Sequence, residues 1–275
     1  MDTFDYLFAK ARENGKVAKA LSEKLQTEVD KNKIVDEIGN IDVGAIVRGT
    51  VKGTGVTLRD VVDTASNISN YKYINNVNIN VIVYINATSI GSNAMRNCIS
   101  LVSIDMPNVT NIGSNAMQDC VSLTTVNMPN VTSIDSDAMV NCMSLTSVNM
   151  PVATSVGSNA MYNCLSLTSV DMPAATSIGN SAMQGCVSLT SVNMPNATSI
   201  GTYAMANCLS LKFIKLGASQ VATLSNTNSF TNTPIAKGTG YIYVPDELVD
   251  SYKIATNWSV YAEQIRPMSE YVEEE

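Results

Sequence analysis

Between Gly91 and Leu211 the order of apolar and polar residues repeats every 22 positions. One unit, Leu123 to Met143, predicts three pieces. In Leu123-Thr124-Thr125-Val126-Asn127-Met128 the apolar residues are set to turn inward, leaving Thr125 and Asn127 outward, as in a short half-buried strand. Pro129 stops that strand because it offers no N–H to a ladder. Val131 to Ile134 predicts a second short strand on another side of the coil. Ser136 to Met143 has apolar residues three to four apart, which predicts one or two helical turns with Ser136 or Asp137 as N-cap.

Comparing units sorts positions further. Cysteine recurs at 98, 120, 142, 164, 186 and 208, and methionine every 11 residues from Met95 to Met205. A fixed period of this length is the mark of a solenoid, in which each coil buries its apolar face against its neighbours. The residue after each cysteine is always apolar (Ile99, Val121, Met143, Leu165, Val187, Leu209), so this column is expected inside. The residue after the turn methionine varies freely (Arg96, Gln118, Val140, Tyr162, Gln184, Ala206), so that column is expected in solvent.

The flanks differ from the array. Residues 1–41 form a charged segment, with 15 of the chain's 41 charges in the first 40 residues. Leu21, Leu25 and Val29 make a narrow apolar stripe there, which predicts a helix. That stripe suits either a partner helix, in a homo-oligomer or larger assembly, or the chain's own body. Residues 42–72 read as a glycine-punctuated connector of short strands, with β-prone pieces at Ala45–Val47 and Val56–Leu58. The solenoid is assigned to 73–216, opening with a degenerate coil around Val77–Tyr84. Residues 217–275 read as a closing cap. In it Tyr241–Val244 is a strand, Asp246 an N-cap, and Trp258 and Tyr261 cover the last coil. Trp258 could alternatively stack on a sugar.

The frame Ala-Met-x-x-Cys-x-x-Leu-x-x-Val-x-Met-Pro, with its Ile-Gly-x-x-Ala-Met return, resembles the BspA-like leucine-rich repeat family over roughly residues 79–216. Met95, Met117 and their equivalents stand where that family usually has Phe; flexible Met fills the same gaps. The resemblance implies an α/β fold: a right-handed leucine-rich-repeat solenoid, β-rich with short helical turns. It also implies ligand binding by surface or secreted proteins, and no catalysis. Tyr241 to Tyr271 resembles the ending common to leucine-rich-repeat proteins of gut bacteria and their phages.

Composition narrows the chemistry. There is no histidine, which removes the commonest general base and metal ligand, and with it any Ser-His-Asp triad. A formal charge of −7 without a basic patch argues against nucleic acid. The longest purely apolar run is Val81 to Ile85, too short to span a bilayer. The acidic first residues do not read as a signal peptide. The cysteines are read foremost as a buried ladder of small apolar residues. Disulfides would be admissible by spacing but not by side-chain direction, and a Cu(I) ladder with methionine would have no closed site. Neither a cofactor nor a metal is expected. Asp135 and Asp137 form the only close carboxylate pair of the array, and N-capping accounts for both.

Only six charges lie between Gly91 and Leu211. The outward strand positions, from Ser103 and Asp105 on to Phe213 and Lys215, make a strip of hydroxyls and amides, with Asp105, Thr125, Asn127, Ser147, Asn149, Ser169, Asp171, Ser191 and Asn193 as its candidate binding residues. Such a strip serves solubility at each residue, and as a whole can hydrogen-bond a glycan or a surface protein. The sequence therefore points to a non-enzymatic recognition protein. Two settings are expected: a phage or prophage tail component in host attachment, on a virion, or a bacterial cell-surface adhesin exported without a conventional leader.

Overall fold

The structure, a computed structural model, describes residues 46–50, 57–63, 67–69, 72–73, 75, 81–84 and 87–272. The charged segment 1–41, expected to be helical, lies outside them, as do residues 76–80.

Each coil places one strand in each of two ladders. The first ladder runs β1 (Ile46–Thr50), β2 (Thr57–Asp63), β4 (Val81–Tyr84), β6 (Ser103–Asp105), β8 (Thr125–Asn127). It resumes with β10 (Ser147–Asn149), β12 (Ser169–Asp171), β14 (Ser191–Asn193), β16 (Phe213–Lys215), β18 (Tyr241–Val244) and β19 (Ile265–Pro267). The second has two-residue strands: β3 (Asn67–Ile68), β5 (Ser89–Ile90), β7 (Asn111–Ile112), β9 (Ser133–Ile134), β11 (Ser155–Val156), β13 (Ser177–Ile178), β15 (Ser199–Ile200) and β17 (Thr223–Leu224). Pairing is parallel and in register, for example Val148↔Val170↔Val192↔Ile214. The exception is β1, which turns back on β2 antiparallel to make an N-terminal hairpin. Beyond Leu216 both ladders go on, with longer connections, through β17, β18 and β19.

The third side differs from the expected helical turns. In each array coil two residues four apart take positive φ, such as Asn115 (57°) with Asp119 (62°), and Asp137 (61°) with Asn141 (58°). A helix cannot contain them. The flips aim alternate N–H groups along the stack: Asn115, Met117 and Asp119 donate to the carbonyls of Ser136, Ala138 and Val140 in the next coil (3.1, 2.8 and 2.8 Å). A helix would have spent those donors inside one coil. Asn and Asp tolerate this left-handed backbone better than other side chains, which is why they hold most places in the two columns, Ser181 and Tyr203 being the departures. Gly185 takes the same place in its coil, at φ 80°. Asp137 is therefore not an N-cap; its Oδ1 accepts from Asn159 Nδ2 at 3.1 Å.

The interior is the expected one. Met139, Cys142, Leu145, Val148, Met150 and Val156, from one coil and the start of the next, are all buried, as are their equivalents in the array except Val126, which is half-buried. Two columns are the reverse of the sequence reading. Side chains after the cysteines point outward, with Leu209 52% exposed, Ile99 44% and Met143 39%. Residues after the turn methionines lie within the stack: Val140 is 8% exposed and Ala206 1%, and the others in the column are half-buried. The cause is geometric. A cysteine aimed inward at a tight corner sends its neighbour out, whereas a side chain lying along the stack is covered by the coils on either side whatever its type.

The last coil is closed by aromatic packing. Phe230, Tyr252, Trp258 and Tyr261 are buried, with Tyr252 and Trp258 edge to face at 5.2 Å and Phe230 and Tyr261 likewise at 5.3 Å. Trp258 Nε1 donates to Ala222 O at 2.6 Å, and Ala222 N donates to the Tyr252 hydroxyl at 2.9 Å. Trp258 is thus sealed in the cap, which removes it as a sugar platform. Asp246 is not the N-cap of the short helix α1 (Val249–Ile254); its carboxylate accepts from Ser269 N at 3.0 Å, which ties down the C-terminal turn and holds its pKa below the usual range.

Candidate functional site

The strand face of the first ladder brings together every residue of the predicted strip. Ser103↔Thr125 and Asp105↔Asn127 pair across β6 and β8. Ser147↔Ser169↔Ser191 and Asn149↔Asp171↔Asn193 form two rows across β10, β12 and β14. All nine candidate side chains are exposed or half-buried. Between β8 and β10 the ladder is interrupted, and Thr146 N reaches Thr124 O only at 3.5 Å. The face is therefore two contiguous panels.

Neighbouring coils consume part of its polarity. Asn127 Nδ2 donates to Asp105 Oδ1 at 2.7 Å and Asn193 Nδ2 to Asp171 Oδ1 at 2.8 Å. Beside the strands, the hydroxyls of Thr124, Thr168 and Thr190 each donate to a carbonyl one coil back. Amide–carboxylate pairs of this kind are held in fixed orientation, with acceptor capacity left over.

Sequence reasoning placed Phe213 and Lys215 on the face, and did not foresee how the face goes on beyond them. The row Ser147–Ser169–Ser191 continues into Phe213 and Tyr241, and the row Asn149–Asp171–Asn193 into Lys215, Tyr243 and Arg266. Phe213 lies 5.1 Å from Tyr271 and 6.1 Å from Tyr243, ring centre to ring centre, and Tyr243 lies 5.2 Å from Tyr271. Lys215 Nζ sits 4.4 Å over the Tyr271 ring, and the Arg266 guanidinium 5.1 Å over Tyr241. The signal was present in Phe213-Ile214-Lys215 and Tyr241-Ile242-Tyr243, which share the alternation of the array strands. The 28-residue step between them hid their register.

On the second ladder, Ser133, Ser155, Ser177, Ser136, Ser158 and Asp135 line a shallow depression of about 420 Å³. Asp135 stands there where neighbouring coils have Gly113, Gly157 and Gly179.

The cysteines are free and buried. Each Sγ donates to a main-chain carbonyl in the preceding coil: Cys98 to Tyr73, then Cys120, Cys142, Cys164, Cys186 and Cys208 to Met95, Met117, Met139, Met161 and Met183, at 3.1–3.2 Å. Burial pushes the Cys142 thiol up to about 12 and raises that of Cys208 as well. Contact with the Cys98 thiol, then burial, raises Cys120; contact with the Cys186 thiol, then burial, raises Cys164. Thiols held neutral in this way are poor nucleophiles. Among the described residues no three Cys, Asp or Glu side chains converge as a metal site, and no helix is long and apolar enough to cross a membrane.

A family model for the BspA type leucine rich repeat region matches in six copies, over residues 66–176 and 111–237. These spans take in more than half of the chain. The chain belongs to the BspA-type leucine-rich repeat family. The BspA-type frame accounts for the inward Leu, Val, Met and Cys columns, and it extends past the array predicted from the period alone. Three solved structures are similar. A leucine rich repeat protein of Treponema pallidum is 20% identical, over 60% of this chain and 77% of that one, with a TM-score of 0.46. A leucine-rich repeat protein of Bacteroides ovatus is 16% identical over 74% and 71%, at 0.49. A leucine rich cell surface protein of Faecalibacterium prausnitzii is 18% identical over 82% and 86%, at 0.30. These likenesses concern the fold. No curated protein matches the sequence.

Proposed function

We propose that this BspA-type protein is a non-enzymatic recognition protein that binds a surface protein or glycan through the strand face of its first ladder. One observation carries the reading. Asp105, Thr125 and Asn127 stand in register in one panel, and Ser147, Asn149, Ser169, Asp171, Ser191 and Asn193 in the next, all on the outward face of strands whose backbone groups pair within their panel. Side chains alone are left to meet a ligand, and oriented amides and hydroxyls meet one at low ordering cost. Family membership supports a cell-surface adhesin. The other setting, a phage or prophage tail component attaching to a host, draws on the likeness of Tyr241–Tyr271 to endings found in phage proteins.

The test is binding of the labelled full chain to intact bacterial and host-cell surfaces, beside a variant carrying Asn127→Ala, Asn149→Ala and Asp171→Ala. The variant is expected to keep its melting temperature and lose most of the bound signal. Undiminished binding by a folded variant contradicts the reading. Mass spectrometry of shaved cell surfaces and of purified phage particles separates the two settings.

A further inference from the structure

We propose that the C-terminal end of the strand face is an acid-binding subsite, and that the ligand of the face is an acidic oligosaccharide carrying a carboxylate-bearing sugar. The inference rests on the recognition reading above and names its ligand class.

The argument begins with register. Lys215 lies beside Asn193 on one side and Tyr243 on the other, and Arg266 lies beyond Tyr243. Two cations thus stand two strands apart, about 10 Å at ordinary strand spacing, with an aromatic ring between them. Both are placed before any ligand arrives, Lys215 over Tyr271 and Arg266 over Tyr241. Rings that hold a cation lower the cost of ordering it on binding. The Glu270 carboxylate lies 3.9 Å from Arg266, at the edge of ion-pair distance, and its side chain is 60% exposed. Toward the array the sign reverses: Asp171 sits beyond Asn193. An acidic group is therefore drawn to the Lys215–Arg266 end and repelled from the middle.

The rest of the face selects a saccharide over a peptide. The backbone N–H and C=O groups of β12 to β18 are spent on neighbouring strands on both sides, so the panel gives an extended peptide no edge to join except at its margins, β10 and β19. The rows of Ser147, Ser169 and Ser191 and of Asn149 and Asn193 offer no apolar pocket to a side chain. They do match successive hydroxyls of a sugar chain. Tyr241, 39% exposed, and Phe213 supply ring edges against sugar C–H faces at the same end. From β10 to β19 the face extends about 24 Å at ordinary strand spacing, room for a short oligosaccharide.

The experiment applies the full chain to an immobilised glycan array holding hexuronic-acid and sialylated oligosaccharides beside their carboxyl-reduced, neutral counterparts. The unaltered protein is expected to bind acidic members and to lose about tenfold or more in affinity when the carboxyl is reduced, the loss of one charge-assisted contact. Lys215→Gln with Arg266→Gln is expected to bring acidic members to that reduced level while the thermal melt stays unchanged. Asn149→Ala with Asn193→Ala should weaken acidic and neutral members alike. Equal binding of neutral counterparts, or full binding by the folded Lys215/Arg266 variant, overturns the acid subsite. If that variant binds normally but the Asn149/Asn193 variant does not, the recognition face stands and the subsite falls. If neither variant alters binding, the recognition face falls too. Capture of immobilised peptides with no array signal also overturns the saccharide.

Discussion

Replacing one cysteine of the ladder separates two explanations of why cysteine is there. Cys142 is fully buried and its Sγ donates to Met117 O at 3.2 Å. Cys142→Ala removes the donor and leaves a small void. The lost transfer energy is about 1 kcal/mol for a group of methylene size, and an unfilled void adds to it. The lost hydrogen bond adds about 0.5–1.5 kcal/mol. It adds no more because Met117 O keeps a second partner, Cys120 N at 3.2 Å, so the carbonyl is not orphaned. The expected total is about 2–3 kcal/mol. Cys142→Ser keeps a donor in almost the same place, so it should cost about 1 kcal/mol. Urea denaturation followed by far-ultraviolet circular dichroism measures both, with unchanged m required for a stability reading. The order Ser above Ala is the point. If the serine variant is the less stable, the cysteines serve as apolar filling alone and the thiol–carbonyl ladder contributes nothing.

Two further outcomes are expected. Folding raises the pKa of buried thiols, so the native chain keeps protons that the unfolded chain gives up; this stability is whole below about pH 9 and falls as pH climbs toward 12. Melting temperature should hold through pH 8 with respect to the thiols and then drop, each thiol costing about 1.4 kcal/mol per pH unit; a flat profile to pH 11 refutes the burial of the thiols. Ser181 holds φ 54° in a column where Asn93, Asn115 and Asn159 do the same. Ser181→Asn should raise the stability by about 0.5–1 kcal/mol, a fraction of the usual strain at such a position, and a lowered urea midpoint contradicts the account of that column.

Much of this fold was legible because a stack repeats its environment. Cys98 to Cys208 and Leu101 to Leu211 are buried for the same reason in every coil, so period alone located them. Periodicity says nothing of direction at a corner, however. Leu209 was read as core because it is apolar, yet it points to solvent, and Ala206 was read as surface because its column varies, yet it is enclosed. The turns looked helical because apolar spacings of three to four fit a helix; Asn115 and Asp119 show that the backbone instead flips to reach the next coil. The outward strip was visible from Ser103 to Lys215. Its continuation into Tyr241, Tyr243 and Arg266 was not, since longer connections separate Lys215 from Tyr243 and Arg266 in sequence and only strand pairing reunites them.

Thiol accessibility tests the whole arrangement most directly. The account has six free cysteines buried inside one continuous stack. Titration of the native protein with a small aromatic disulfide should label none of the six quickly, and all six once the chain is unfolded in guanidinium. Rapid labelling of even two or three without denaturant would mean that the coils do not close over a shared interior, and the recognition face built on their register would go with it.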